Sequence, residues 1–483
     1  MKFDDIPSII SELNDDPWIS LWLYRFGQYV DLFAIVAIFG ILILNWFQVV
    51  PTDINNALYF LSAMVQAQAA IVSLVITLTL IAIQMTAGSY TPRVVDVMKK
   101  NPDMWFLLVI YIESILIGFF ALKEVASPDD QSLVSLIFIL GAYTFLTLFL
   151  YMYNTINLLR SDAVVKMLVA DINIGNIQLT EGAADMMQPV FDVVHASINR
   201  FDITTTRAGL NQLEERVIEL LRSSDNLHRY SIVDHFCNHI ERSAVVTLRN
   251  DDEGTVIEIM MVLEKLGDQV ADLGPVDDDL GLVDSAQRVA MTLRKIGIHA
   301  ADKKFERATI LMPQALRYVG IHAALSGLEM GTIEAVRAIK DISIHAIDRG
   351  MELTVLVVPG LLDEVSTYAV NNGLERATVH VSGALGDIGI HAADKKLEDM
   401  TIQVALALNT VGVHAADKGM EDATLNVVGA LYWVGMHAAE EGLDDATIKV
   451  VDAIKEVDIH AANNKLEKVT TNVKEILKSF GKK

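Results

Sequence analysis

The sequence predicts an all-α protein: four transmembrane helices followed by a cytoplasmic α-solenoid of 23-residue two-helix repeats. Three observations predict it. Four apolar runs are each long enough to cross about 30 Å of hydrocarbon. Histidine recurs every 23 residues through the second half of the chain. The composition, 52% hydrophobic and 21% charged with a mean hydropathy of +0.37, is too apolar for an ordinary soluble domain. At 483 residues the chain exceeds what one core holds, so several parts are expected. These are an interfacial segment (1–28), a four-helix membrane domain (29–154), a helical coupling region (155–265) and a repeat domain (266–483).

The apolar runs are Leu32–Val50, Leu58–Met85, Met104–Leu122 and Leu133–Tyr153. The start, MKFDDIPSII, is acidic and the first run comes late and is long, which argues against a cleavable signal. Lys2 and Arg25 precede the first run, Arg93, Lys99 and Lys100 separate the second and third, and Arg160 and Lys166 follow the fourth. This asymmetry predicts a multipass cell-membrane protein with both termini cytoplasmic. Trp18, Trp22, Tyr24 and Tyr29 suit the headgroup layer just before the first span.

The second span carries hydroxyls and amides on two seams. At about 100° per residue, Ser62, Ser73, Thr77 and Gln84 fall within about 40° of Gln66, while Gln68, Thr79 and Thr86 lie nearly opposite. Polar atoms in hydrocarbon are costly unless they meet water or a partner. Either one stripe lines an aqueous pore while the other bonds to neighbouring helices, or both merely join helices. Glu113 sits inside the third apolar run and is either a functional acid or a structural partner of a second-span seam.

In the second half, His299, His322, His345, His391, His414, His437 and His460 keep one register, with Tyr368 at the missing place. The following residue is always alanine and the seventh is always acidic, from Glu306 to Glu467. Glycines two before and five after the histidine read as helix terminators. Leu397–Val411 has helical apolar spacing and Val413–Lys418 is long enough for about two turns, so each unit reads as a long and a short helix. Such units cannot bury a face alone and stack into a solenoid. A degenerate unit with Gln269 in the histidine place stands 30 residues ahead of His299. The histidines read either as a metal-binding or pH-sensing ladder or as hydrogen-bonding spacers between units. The acids read as helix N-terminal charges or as a divalent-cation surface.

A formal charge of −24 argues against nucleic acid as partner. The single cysteine, Cys237, excludes an intrachain disulfide and any polycysteine zinc site. His235 and His239 lie one helical turn apart, yet only His228 stands near them as a third ligand, so no metal or other cofactor is expected. No phosphate loop, dinucleotide fingerprint, nucleophile elbow or HExxH occurs, and no enzyme is expected.

Ser73 to Arg93 (SLVITLTLIAIQMTAGSYTPR) resembles the signature of a family of predicted membrane proteins of unknown function, in which a polar helix ends in a Pro-Arg turn. Val193 to Glu214 resembles a second segment of that family, although Arg200 and Phe201 stand where the family usually has Asp and Pro. The repeats look like 23-residue helical repeats found in other chains. Neither resemblance implies a chemistry. The expected function is a homo-oligomeric, cation-preferring ion channel, with the second span lining the pore and the repeats forming a vestibule or sensor. The alternative is a membrane-anchored helical-repeat scaffold or receptor for another protein. The expected partners are therefore the lipid bilayer, further copies of the chain and ions, including divalent cations at the acidic repeats.

Overall fold

The computed structural model describes residues 17–47, 54–89, 102–124, 131–158, 161–172, 185, 187–224, 226–273 and 280–480. Among them every regular element is a helix. Lys2, Arg93, Lys99, Lys100, Arg160, the end of the first apolar run and the Pro-Arg turn lie outside the described residues. The chain forms two compact units, 1–171 and 172–483.

The first unit contains α1 (Pro17–Phe47), α2 (Ile54–Ser89), α3 (Pro102–Glu124), α4 (Gln131–Leu158) and the short α5 (Ser161–Ala170). The first four are long and apolar enough to cross a membrane, over Ile19–Leu44, Asn55–Ile81, Pro102–Glu124 and Ser132–Asn157. Helix α1 packs on α4, α4 on α3, and α3 on α2. Leu61 of α2, Ala121 of α3 and Ile137 of α4 meet in one small core, while Val75, Leu107, Tyr111 and Tyr151 form another. Outward, residues such as Phe39, Leu42, Leu116, Phe120 and Phe149 are exposed, as a lipid-facing surface requires.

The second unit begins with α6 (Gln188–Asn199), α7 (Ile203–Ser223), α8 (Asn226–Arg249), α9 (Glu253–Asp272) and α10 (Leu280–Asp302). It continues with α11 (Glu306–Leu325), α12 (Glu329–Asp348), α13 (Glu352–Val355), α14 (Val358–Asn371), α15 (Glu375–Asp394) and α16 (Glu398–Asp417). The last helices are α17 (Glu421–Glu440), α18 (Asp444–Asn463) and α19 (Glu467–Phe480). Each helix packs on the next and on the next but one, so the helices fall into two layers with alternate members in each.

One feature of the units differs from the sequence expectation. A 23-residue unit is one continuous helix of 20 residues, such as Glu398–Asp417, and the helix pair is completed by the following unit. The glycine two before the histidine lies inside the helix and does not end it. Termination falls to the second glycine: Gly327, Gly350, Gly373, Gly419 and Gly442 have φ of +70 to +75°. The next residue then bonds back five positions, Leu328 N–H to Ala323 O at 2.8 Å and Leu443 N–H to Ala438 O at 2.8 Å. Lys304, Lys396 and Lys465 take the same left-handed place without being glycine. The fourth unit is split into α13 and α14 just before Pro359, although Pro313 holds the same place in the unbroken α11.

Candidate functional site

The two seams of α2 have different fates. On the inner seam Gln68 is buried, and its Nε2 donates to Ser114 Oγ of α3 at 2.9 Å and Thr144 Oγ1 of α4 at 3.1 Å. Thr79 Oγ1 meets the Tyr151 hydroxyl at 2.5 Å. These bonds satisfy amide and hydroxyl groups that would otherwise be stranded in hydrocarbon. On the other stripe Gln66, Ser73, Thr77 and Gln84 are exposed and Ser62 is half-buried. Their described bonds stay within α2: Gln66 Nε2 donates to Ser62 Oγ at 3.2 Å and Thr77 Oγ1 to Ser73 O at 2.8 Å. The chain's own bundle thus covers one seam and leaves the other outside. The side chain of Thr86 lies outside the described residues.

Glu113 points away from the bundle and is exposed, and its neighbour Ser114 makes the contact to the second span. Among the described residues of the membrane unit, the buried acid is Asp103, at the start of α3. It pairs with Arg25 of α1 at 3.3 Å, accepts from the Tyr29 hydroxyl at 3.2 Å and accepts from Asn154 Nδ2 of α4 at 3.0 Å. Three spans are therefore tied at one end of the bundle. Sequence reasoning missed Asp103 because it reads as an ordinary first-turn acid; the signal was Arg25 and Asn154 at matching ends of their own apolar runs.

The histidines form pairs between units two apart. His391 Nε2 lies 2.9 Å from Asp348, His437 Nδ1 2.8 Å from Asp394 and His460 Nδ1 2.8 Å from Asp417, each 43 residues back. His322 reaches Asp272 of the degenerate unit at 3.4 Å. His299 and His345 instead meet backbone carbonyls of their own helices, Lys295 O and Asp341 O. His414 faces Asp363, whose carboxyl burial pushes up to about 6 against the opposing charge of that ring. Four of the seven histidines, His322, His391, His437 and His460, therefore staple helices within one layer. The recurrent acids do similar work at the other helix end. Glu329 accepts from Ala377 N–H at 3.3 Å, Glu375 from Asp422 N–H at 3.2 Å and Glu398 from Asp445 N–H at 3.2 Å, each capping the helix two units on.

The HFCNH segment divides. Cys237 is fully buried, and burial pushes its thiol up to about 12, so the thiolate that a metal needs is strongly disfavoured. His235 and His239 instead turn toward Asp185, which lies ahead of α6. Burial opposes ionisation of Asp185, but hydrogen bonds from the two imidazoles hold its carboxyl well below the usual range. Asp185 was invisible in sequence, 50 residues before His235 and outside any helical pattern.

No protein-family model matches the chain, and no curated protein matches it. The expected membership of the first half in a membrane-protein family thus finds no matching model, while the four apolar helices and the helical repeats stand. One solved structure, described as a circular tandem repeat protein with novel repeat topology and enhanced subunit contact surfaces, aligns over 89% of this chain and 96% of its own. Its identity is 13% and its TM-score 0.35, too little to add to the architecture described above.

Proposed function

We propose that the chain assembles into a homo-oligomeric membrane channel in which the outer stripe of α2 faces a shared aqueous axis. The observation that carries this reading is the asymmetry of α2: its inner seam is satisfied by α3 and α4, and its outer stripe of amide and hydroxyl groups is left uncovered. An uncovered amide in lipid is costly, whereas the same groups facing water or another subunit are not. Repetition of the stripe around an axis supplies a hydrated lining without any intramembrane charge on that face. From Asn154 onward the chain carries 32 Lys and Arg against 49 Asp and Glu, which enriches cations near a pore mouth and supports a cation preference. The repeat unit then serves as a vestibule or sensor.

The test is ion flux into liposomes loaded with purified full-length protein, compared with Ser73→Leu and Thr77→Leu. Flux above empty vesicles that falls in both variants supports the channel. Absence of flux from wild-type protein overturns it and favours a membrane-anchored scaffold whose spans tolerate such changes.

A further inference from the structure

We propose that Asp185, His235 and His239 form a binding site for a divalent cation of the zinc class. His235 and His239 are four residues apart on α8, so their rings stand one turn apart on one face. Both turn Nε2 onto the same carboxylate: His235 Nε2 is 2.9 Å from Asp185 Oδ1 and His239 Nε2 is 2.7 Å from Asp185 Oδ2. One donor atom from each of the three side chains lies within 4.8 Å of the other two. Around a tetrahedral zinc with bonds of about 2.0–2.2 Å, neighbouring ligand atoms stand roughly 3.3–3.6 Å apart. The two histidine–carboxylate spacings, 2.9 and 2.7 Å, are shorter than that by less than 1 Å, and the remaining spacing stays within 4.8 Å, so small shifts of the three side chains bring them around one ion. A single cation would take the place of the two Nε2–H···O hydrogen bonds and meet the same three groups, each imidazole then carrying its proton on Nδ1.

The surroundings have the form of a built site. Asp185 is positioned by its own backbone contacts, since its Oδ1 accepts the N–H groups of Met187 at 3.0 Å and Gln188 at 3.2 Å. His239 is 2% exposed and lies flat on Phe191, with ring centroids 4.6 Å apart and an interplanar angle of 11°. His235 and Asp185 are 38% and 28% exposed, so one side of the cluster opens to solvent. Two imidazoles and a carboxylate with an open fourth position suit zinc and its neighbours in the divalent series better than calcium or magnesium, which prefer all-oxygen shells. His195 is close by, but its Nε2 is occupied by Ser243 Oγ at 2.8 Å. The bound ion fastens the segment leading into α6 to the middle of α8. This site lies in the second unit and is independent of the channel reading.

The test uses full-length protein in detergent, stripped with a chelator and titrated with zinc chloride by calorimetry. One zinc per chain is expected at the tight site, with affinity about 100-fold or more weaker in Asp185→Asn and in His235→Asn. His235 is the main test position because its exposure makes loss of folding a minor concern; unchanged far-ultraviolet circular dichroism verifies this. Cobalt gives a second readout: a visible ligand-field band in the wild type that is lost in both variants. The proposal is overturned if stripped wild-type protein takes up no stoichiometric zinc. It is equally overturned if the Asp185→Asn/His235→Asn double variant binds zinc as the wild type does, which would place the ion on the repeat histidines.

Discussion

Replacing Gly412 by alanine sets two known effects against each other. In a helix interior, alanine is favoured over glycine by about 1 kcal/mol. A Cβ at Gly412, however, would stand 2.7 Å from Val457 Cγ2 and 2.8 Å from Val427 Cγ1, on the two helices that follow α16. Both neighbours are valines, whose χ1 is held stiffly in a helix, so neither methyl can swing aside cheaply. Overpacking of this kind costs about 1–3 kcal/mol, which leaves a net loss of about 1 kcal/mol. Gly429 on α17 is the internal control, because a Cβ there meets nothing within 4 Å and alanine should gain about 1 kcal/mol. The two variants are therefore expected to differ by about 2 kcal/mol in opposite directions. A repeat array does not unfold as a single two-state unit, so the assay is native-state hydrogen exchange of the α16–α18 amides in the full-length protein. Adding Val457→Ala should recover part of the loss at Gly412 through a favourable coupling. If Gly412→Ala protects these amides as Gly429→Ala does, the three-helix contact is not the reason for glycine and the packing argument fails.

Asp363→Asn should stabilise the protein at pH 7. The Asp363 carboxyl is raised to about 6 by burial, so its folded state holds a proton that the unfolded chain releases near pH 4; stability falls as pH rises between those values and the variant removes that fall, by about 1–2 kcal/mol after screening. Native-state hydrogen exchange of the α14 amides at pH 4.5 and pH 7 measures it, and an equal effect at both would refute it. Glu398→Ala removes the acceptor of the Asp445 N–H and should cost about 1 kcal/mol of local stability at the start of α18, with Glu398→Gln retaining most of it; amide exchange there reads both. His437→Asn breaks a pair whose members are 33% and 48% exposed, so its stability should change by less than about 0.5 kcal/mol in a melting curve.

The coarse architecture was legible because its signals are periodic or long. Apolar runs located α2 to α4 to within about five residues, whereas α1 begins at Pro17, well before the run that starts at Leu32; the 23-residue register located the helix starts from Glu306 to Glu467 except that of α14 at Val358. What one unit does with its residues was harder to read. Glycine before the histidine looked like a terminator because both helix ends and close helix crossings call for glycine; only the neighbours of Gly412 or Gly389 in space distinguish the two. The earlier helices α6 to α9 lack the histidine-alanine mark, although a weaker repeat was present. Asp202 and Asp252 each cap a helix by accepting from a threonine three residues on, and each follows a residue with positive φ. In the membrane unit the phases of α2 separated its seams correctly, but which seam faces α3 and α4 depends on Ser114 and Thr144, residues that carry no special pattern. Asp185 was the hardest to find, since nothing local in sequence links it to His235 and His239.

Because bonds and contacts join each helix to the one two units away, the array has a parity. Adding or removing 46 residues would return every later helix to the layer it occupied before, with the same direction and the same staples. A change of 23 residues would send each of them to the opposite layer and reverse the edge from which the chain leaves. Arrays of this kind are therefore expected to lengthen or shorten by even numbers of units wherever both ends must keep their places. An engineered deletion of α16 alone should move α19 across the array, and deletion of α16 with α17 should not.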